Sequence, residues 1–177
     1  VAKFFFFERA YFSTIDIMHD RFGYYICWGI LGWLPVVYPS AALYLVNADV
    51  AMPGALAVAL AAFGLGAMWV SHDADRQRQR VRNTDAHTTV WGKPPAVIHA
   101  RYRASDGRVR ENLLLASGWW GVARHFHYAT EIALAVAWTV PCGFRAVLAW
   151  FYPIYLAILL VHRAFRDDRK CKAKYGA

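Results

Sequence analysis

Two long uncharged apolar segments constrain the fold of this chain more than any other feature of its sequence. Residues 23–46 run for 24 positions without a charged side chain, and residues 50–70 run for 21. A helix of about 20 apolar residues can cross the hydrocarbon core of a bilayer. The segments therefore predict two transmembrane helices joined by a tight turn. Pro35 and Pro39 lack a backbone donor, so we expect the first helix to be kinked or broken there.

The composition agrees with a membrane protein. Hydrophobic residues make up 58% of the chain and charged residues 18%, and the mean hydropathy is +0.24, which is high for a soluble domain. The three cysteines are widely spaced and form no CxxC motif, so we expect free thiols rather than a disulfide framework or a zinc site. We also expect the chain to be a fragment of a longer protein.

A third apolar region covers residues 132–161 and is interrupted by a proline, a glycine and an arginine between 141 and 145. This interruption predicts a helical hairpin. The first arm rises only about 20 Å if it is cut at its charged ends, which is too short to span a bilayer. A helix that begins near Ala123 is long enough, so the sequence predicts transmembrane helices at 123–143 and 146–162.

Four crossings place three polar stretches on one side of the membrane. These stretches, 1–22, 71–112 and 163–177, contain 18 of the 20 Lys and Arg residues, and by the positive-inside rule that side is cytoplasmic. The loop 71–112 contains a Ser-Asp-Gly turn that predicts a short β-hairpin. The predicted fold is all-α, a polytopic integral membrane helical bundle with this hairpin in a cytoplasmic loop, and it forms a single membrane domain over 1–177.

The predicted helix at 123–143 begins with polar side chains on one face. Arg124, His127, Tyr128 and Glu131 are spaced i, i+3, i+4 and i+7. Charged groups at membrane depth are costly and normally face a bundle interior or a water-filled cavity. An anchor at the membrane interface is the alternative, but snorkelling does not explain Glu131, which lies a further turn inward.

The end of the chain carries a second polar face. Its members share one side of a predicted helix: Arg163, Arg166, Asp167, Lys170, Lys174 and Tyr175. In an antiparallel hairpin the start of this face would lie beside the first one, and together they would form a cationic pocket for a ligand with phosphates. The alternative is a positively charged tail in water, which fits Lys170 and Lys174 better than the rest.

The basic run at 76–82 indicates no single ligand. Such a run suits anionic lipid headgroups, nucleic acid or the phosphates of a small ligand, and nucleic acid is the least favoured because apolar helices flank it. His125 and His127 are two residues apart, so a helix would place them on different faces and no metal site is predicted. The sequence has no P-loop and no GxGxxG motif, so a nucleotide would have to bind outside the soluble nucleotide-binding folds.

Two late motifs resemble a known family. LLASGWWGVARHFHY at 114–128 and HRAFRDDRKCKAKYG at 162–176 are similar to motifs of the sterol reductases, which include the delta-7 and delta-14 enzymes and part of the lamin B receptor. The segment at 16–38 most resembles the delta-7 branch. The resemblance runs from about Glu8 to Gly176 and implies that the chain is a C-terminal portion of such a protein.

The resemblance implies a polytopic membrane enzyme that reduces a sterol ring double bond with NADPH, in the endoplasmic reticulum membrane if the source is eukaryotic. Its implied partners are a sterol and the lipid bilayer, without nucleic acid or metal. The matching motifs imply these cofactor-binding residues: Arg78, Arg82, Leu115, Trp120, Arg124, His127, Arg163, Asp167 and Tyr175. His127 stands where the family has Asn, and Arg78 stands where it has Lys.

The implied catalytic residues are Asp167 and Tyr38, either of which could donate a proton to the alkene. Asp16, His19 and Asp20 match a further family motif, and we interpret them as structural residues at a helix entrance.

Two other functions remain open from the sequence. One is a membrane methyltransferase of the isoprenylcysteine carboxyl type, although the RHP and Glu-Glu motifs of that class are absent. The other is a receptor or scaffold that keeps the fold without catalysis.

Overall fold

The computed structural model of the chain describes residues 23–103 and 107–175. They belong to two compact units, Val1–Ala48 and Asp49–Ala177. Most of the described residues are helical, and one short sheet of two strands is present. Asp16, His19 and Asp20, for which the sequence predicts a structural role, lie outside the described residues.

The described part of the first unit, from residue 23 onward, is a helix interrupted at its prolines. Its segments are α1 (Tyr24–Trp28), a π-helical turn (Gly29–Trp33), α2 (Leu34–Val37) and α3 (Ser40–Asn47). The backbone N–H of Leu34 donates to the Gly29 carbonyl, one residue further back than in an α-helix. Pro39 separates α2 from α3, and the Ser40 hydroxyl donates to the Val37 carbonyl at 2.8 Å. The missing proline donors account for both irregularities.

The first helix of the second unit is α4 (Gly54–Asn83), which has 30 residues. Its C-terminal part, residues 71–83, is polar. The sequence predicts a loop over 71–112, but residues 71–83 continue the helix. Side-chain pairs one turn apart stabilise this part. The Arg78 guanidinium contacts Asp75 Oδ1 at 3.1 Å, and the Gln77 amide donates to Asp73 Oδ2 at 2.7 Å. Hydropathy alone does not detect such pairs.

Three of the described helices are long and apolar enough to cross a membrane, namely Gly29–Asn47, Gly54–Asn83 and Val147–Tyr175. The predicted span at 123–143 is built differently. It follows α5 (Trp119–Val122) and contains α6 (Phe126–Thr139, 14 residues) and a 3₁₀ turn at Val140–Cys142. Its crossing of the membrane stays a prediction.

The helix predicted to begin near Ala123 begins at Phe126 instead. Ala123 has extended backbone angles, φ −157° and ψ 144°, and Arg124 and His125 form a turn before α6. Arg124 is therefore not part of a helical stripe with His127, Tyr128 and Glu131, and Glu131 is exposed. A helix start at Ala123 is prevented by its extended conformation, which breaks the ladder of backbone hydrogen bonds.

Helix α6 packs against both α4 and α7 (Val147–Tyr175). Its buried side includes Ala135, Ala137 and Thr139. Gly64 of α4 faces it so closely that an added Cβ would lie 3.5 Å from the Ala137 Cβ. Small residues on both helices let their backbones approach, as is common between membrane helices.

The predicted β-hairpin is confirmed. Strand β1 (Val97–Arg103) pairs antiparallel with β2 (Val109–Leu115), with Ala100 opposite Asn112. Ser105 and Asp106 of the predicted turn lie outside the described residues. On one face of the sheet, the hydrogen bond from His99, and to a smaller extent that from Arg101, lowers the pKa of the Glu111 carboxyl.

The other face of the hairpin contacts the end of α7. The Asn112 amide donates to the Tyr175 hydroxyl at 3.2 Å, and the rings of Tyr102 and Tyr175 meet edge to face at 5.9 Å. The ammonium group of Lys174 lies 3.7 Å from the centroid of the Tyr102 ring, close enough for a cation–π interaction. The hairpin thus fixes the position of Tyr175.

We expect the replacement of Asn112 by alanine to loosen this contact and to lower the free energy of unfolding by about 1 kcal/mol, the typical value of one hydrogen bond. Hydrogen exchange of the β1 and β2 amides should speed up, because the hairpin loses its link to α7. The control is Asn83→Ala, which removes an exposed amide at the end of α4. Equal exchange in the two variants would contradict the prediction.

Candidate functional site

The polar end of α4 holds a pair of tryptophans at the entrance to the ARHFHY segment. The Trp119 backbone N–H donates to Gln77 Oε1 at 3.2 Å, and its indole N–H donates to Asp73 Oδ2 at 2.8 Å. The indole N–H of Trp120 donates to the Ala74 carbonyl at 2.8 Å. Asp73 and Gln77, on two successive turns of α4, therefore both bind Trp119, and Ala74 binds Trp120.

This approach requires glycine at position 118. Gly118 has φ +63° and ψ −141°, a region that is open almost only to glycine. An added Cβ would lie 2.2 Å from Gln77 Oε1 and 2.6 Å from Val90 Cγ1. The backbone therefore bends sharply against α4 just before Trp119.

The Trp120 ring is close to both a cation and an imidazole. The guanidinium carbon of Arg78 is 5.0 Å from the centroid of the Trp120 ring, which is a cation–π distance. The His127 ring is 5.2 Å from the same indole. The positive charges of Arg78 and Arg163 also act on His127, so residues from α4, α6 and α7 share one electrostatic environment.

His125, His127 and Tyr128 form an aromatic cluster. The rings of His125 and Tyr128 stack at 4.8 Å with an interplanar angle of 9°, and the rings of His127 and Tyr128 meet at 4.4 Å. Two buried nitrogens, His125 Nε2 and His127 Nδ1, have no hydrogen-bond partner among the described residues. Buried polar atoms are rarely left unsatisfied, so these nitrogens could contact a ligand.

Two carboxylates of α7 bind the turn that precedes α6. Arg124 contacts Asp168 Oδ1 at 2.9 Å and Asp167 Oδ2 at 3.7 Å. His125 Nε2 lies 3.5 Å from Asp167 Oδ2, and Lys172 contacts Asp168 at 2.9 Å. The Asp167 side chain is 21% exposed and that of Asp168 is 39% exposed, so Asp167 is the more enclosed acid.

A second group of cationic side chains lies at the C-terminal ends of α4 and α7. Burial, and then the charge of Arg78 one helical turn earlier, lower the pKa of the Arg82 guanidinium, while Tyr175 acts in the opposite direction. Because Asn112 binds the Tyr175 hydroxyl, the hairpin belongs to this end of the site. Arg78, Arg82, Lys174 and Tyr175 provide donors of the kind that bind phosphate groups.

The structure thus brings together most of the residues that the motifs single out. Arg78, Trp120, His127 and Arg163 share one environment, and Arg124 pairs with Asp167. Leu115 ends β2, three residues before Gly118. Tyr38 belongs to the first unit, so its role stays a prediction.

Four residues that organise the site are not predicted from the sequence: Asp73, Gln77, Asn112 and Asp168. Asp73 and Gln77 are spaced i, i+4 on the same face of a helix, which could have indicated them if α4 had been extended beyond residue 70. Asp168 is adjacent to Asp167, and nothing in the sequence distinguishes which of the two pairs with Arg124.

Comparison with known proteins now assigns the chain. The sequence model of the Ergosterol biosynthesis ERG4/ERG24 family matches residues 1–177. The chain belongs to this family. The resemblance drawn from the two late motifs is therefore confirmed at the level of the family.

Curated relatives of the family match nearly the whole chain. It is 49% identical to the 7-dehydrocholesterol reductase of Arabidopsis thaliana over 176 residues. The match covers 99% of this chain and 41% of the relative. It is 41% identical to the protein of the same name from Xenopus laevis, with 99% and 37% covered. It is 38% identical to the Delta(14)-sterol reductase of Methylotuvimicrobium alcaliphilum, with 99% and 39% covered. The chain thus spans about two fifths of the length of these relatives.

Metal-binding side chains do not converge in the part of the chain that the structure describes. Between residues 23 and 103 and between 107 and 175, no group of three or more His, Cys, Asp or Glu side chains could hold a metal ion. His125 and His127 instead contact each other, with 6.2 Å between ring centroids, and Tyr128.

Proposed function

We propose that this chain provides the cofactor side of a membrane sterol reductase, which uses NADPH to reduce the delta-7 double bond of 7-dehydrocholesterol-type sterols. The observation that carries the proposal is the identity of 49% to a relative named 7-dehydrocholesterol reductase, together with the cationic and aromatic site on α4, α6 and α7. The protein is proposed to act in sterol biosynthesis.

The residues of the site fit a nicotinamide dinucleotide phosphate. Arg78, Arg82 and Tyr175 form a phosphate-binding end, where guanidinium groups can form charge-assisted hydrogen bonds. Trp120 provides an aromatic surface, and the buried Nδ1 of His127 lacks a hydrogen-bond partner among the described residues. A carboxamide or phosphate oxygen would satisfy it. Leu115, Arg124, Arg163 and Asp167 complete the proposed cofactor-binding set.

When bound, NADPH supplies a hydride to a carbon of the alkene. The chain itself must hold a proton for the other carbon, keep water out and orient both reactants. We propose that Asp167, beside His125 at 3.5 Å, holds that proton, and that Tyr38 is a second donor. Arg124 orients Asp167 from the turn before α6.

The proposal includes a membrane topology. Three helices of sufficient length and apolar character and the membership in the family support an integral membrane protein. We propose spans at 23–46, 50–70, 123–143 and 146–162 within a single membrane domain, with the loop and the tail on the cytoplasmic side. In a eukaryote the membrane would be that of the endoplasmic reticulum.

A delta-14 activity is a second candidate because a relative at 38% identity is named Delta(14)-sterol reductase. Turnover of 7-dehydrocholesterol and of a delta-14 sterol by the intact protein in detergent separates the two activities.

Titration with NADPH and with S-adenosylmethionine tests whether the protein is a reductase or a methyltransferase. Binding of S-adenosylmethionine without NADPH would refute the reductase proposal, and binding of neither ligand would favour the scaffold function.

His127 allows a direct test of the cofactor site. We expect His127→Asn to keep the dissociation constant for NADPH within about threefold, because an amide can replace one ring nitrogen as a hydrogen-bonding group. His127→Ala should weaken binding about tenfold, the loss expected for one buried hydrogen bond. Calorimetric titration of the intact protein measures both.

The matched control for this pair is His87→Asn, since His87 is an exposed histidine whose Nδ1 lies 3.0 Å from the Thr84 carbonyl, just after α4. It should bind NADPH as the unmodified protein does. If His127→Ala bound NADPH equally well, His127 would have to be removed from the proposed site.

A further inference from the structure

A carboxylate outside the proposed set of cofactor residues lies beneath the tryptophan pair. Asp73 Oδ2 accepts two hydrogen bonds, from Trp119 Nε1 at 2.8 Å and from Gln77 Nε2 at 2.7 Å. Both distances are short for N–H donors, as expected when the acceptor is a carboxylate. Asp73 therefore binds a neighbour on its own helix and a residue 46 positions later in the chain.

The bond from Gln77 to Asp73 fixes the orientation of the Gln77 amide. With Nε2 directed at the carboxylate, Oε1 is directed at the backbone N–H of Trp119, from which it accepts a hydrogen bond at 3.2 Å. The reverse orientation would place oxygen against oxygen and N–H against N–H. Gln77 is only 9% exposed, so water cannot readily replace either partner.

These bonds determine where Trp120 lies. Trp119 is held at its backbone by Gln77 and at its indole by Asp73, and the next residue places its own indole on the Ala74 carbonyl. Trp120 thereby reaches its distances of 5.0 Å from Arg78 and 5.2 Å from His127. If the bonds of Trp119 to Gln77 and Asp73 were lost, the bond from Trp120 to the Ala74 carbonyl would be the one described hydrogen bond left between the tryptophan pair and α4.

We propose that Asp73 is a positioning residue for the nicotinamide dinucleotide: through Gln77 and Trp119 it places Trp120 against the cofactor site. The inference rests on the proposed function, in which Trp120 contacts the cofactor. Asp73 acts through Trp119 and is not itself a catalytic residue. Its loss should therefore weaken cofactor binding while the rest of the fold remains intact.

The test measures the dissociation constant for NADPH on the purified intact protein in detergent by calorimetric titration. Asp73→Ala should raise it about tenfold, since hydrogen bonds to a charged acceptor are lost. Asp73→Asn should stay within about threefold, because the Asn carbonyl oxygen can still accept both bonds. Trp119→Phe, which keeps the aromatic contacts but removes the indole N–H, should raise the constant in the same way as Asp73→Ala.

The double variant Asp73→Ala/Trp119→Phe distinguishes positioning from independent effects. Both substitutions remove the same bond, so the double variant should bind NADPH no more weakly than Asp73→Ala alone, and additive losses would overturn the inference. The control is Asp85→Asn, which also removes one carboxylate. Asp85 has a backbone conformation in the left-handed region, with φ +47°, and asparagine adopts this conformation readily. The control should leave binding unchanged.

The outcomes separate this inference from the proposed function. If the unmodified protein binds no NADPH, the proposed function fails. If it binds NADPH and folded Asp73→Ala and Trp119→Phe bind it equally well, only the inference fails. A purely structural role would lower the unfolding temperature of Asp73→Ala without changing its dissociation constant. If Asp73→Ala does not fold, Trp119→Phe decides, and unchanged binding in that variant overturns the inference.

Discussion

Replacement of Asp167 by alanine in the intact protein is expected to lower the rate of sterol reduction at least about a hundredfold, the usual contribution of a positioned proton donor. The carboxylate lies 3.5 Å from His125 and 3.7 Å from Arg124. Its removal takes away the proposed proton donor and leaves Arg124 in contact with Asp168 among the described residues. Consumption of NADPH with 7-dehydrocholesterol measures the effect.

The amount of protein in the membrane should not change, because Asp167 is polar, partly exposed and not part of an apolar core. Arg163→Ala, on the same helix, should also abolish reduction, since its charge acts at His127. The control is Arg169→Ala, which removes an exposed guanidinium six residues further along α7. Normal reduction in both Asp167→Ala and Arg163→Ala would contradict the proposed site.

Asp167 also illustrates what can be predicted from the sequence. Its motif indicated a role beside Arg124, and the structure places the two side chains 3.7 Å apart. The pairing was predictable because a helical hairpin brings its open ends together, whatever the exact start of the first arm. The shorter contact of Arg124 with Asp168, at 2.9 Å, was not predictable, because it depends on the conformation of a turn.

The boundaries of α4 and α6 show why local patterns fail at the edges of elements. The end of apolar character at residue 70 indicated the end of a span, but the helix continues to Asn83 through side-chain pairs within the polar part. Conversely, α6 begins at Phe126 because Ala123 is extended, and that conformation follows from how the preceding tryptophans bind α4. The hairpin was predictable because its strands and turn are local in sequence.

The network of Asp73, Gln77 and Trp119 could not be predicted because its members are distant in sequence and individually ordinary. A buried glutamine or an aspartate in a polar helix indicates no partner by itself. Gly118 is the one local feature of the sequence that indicates this network. It directly precedes the two tryptophans, at a position where most residues could be placed if the backbone were not bent. Its positive φ and its contact with Gln77 connect the local sequence to the tertiary network.

Gly118→Ala is expected to have the largest effect on stability of any single substitution at the site. The backbone angles would be strained, and the new methyl group would lie 2.2 Å from Gln77 Oε1 and 2.6 Å from Val90 Cγ1. Strain and overpacking together should lower the free energy of unfolding by roughly 3 kcal/mol or more. Thermal unfolding in detergent, followed with a thiol-reactive dye, can detect this because Cys142 is a buried free thiol.

Gly92→Ala separates backbone strain from steric overlap. Gly92 also has a positive φ, +75°, but an added Cβ would meet no atom within 4 Å. This variant should therefore lose only about 1 kcal/mol from strain and bind NADPH normally. Gly118→Ala should lose NADPH binding together with stability, because the tryptophan pair must move away from α4. Equal stability of the two variants would show that the close approach of Gly118 to Gln77 does not exist in the protein, and Asp73 would then have no route to Trp120.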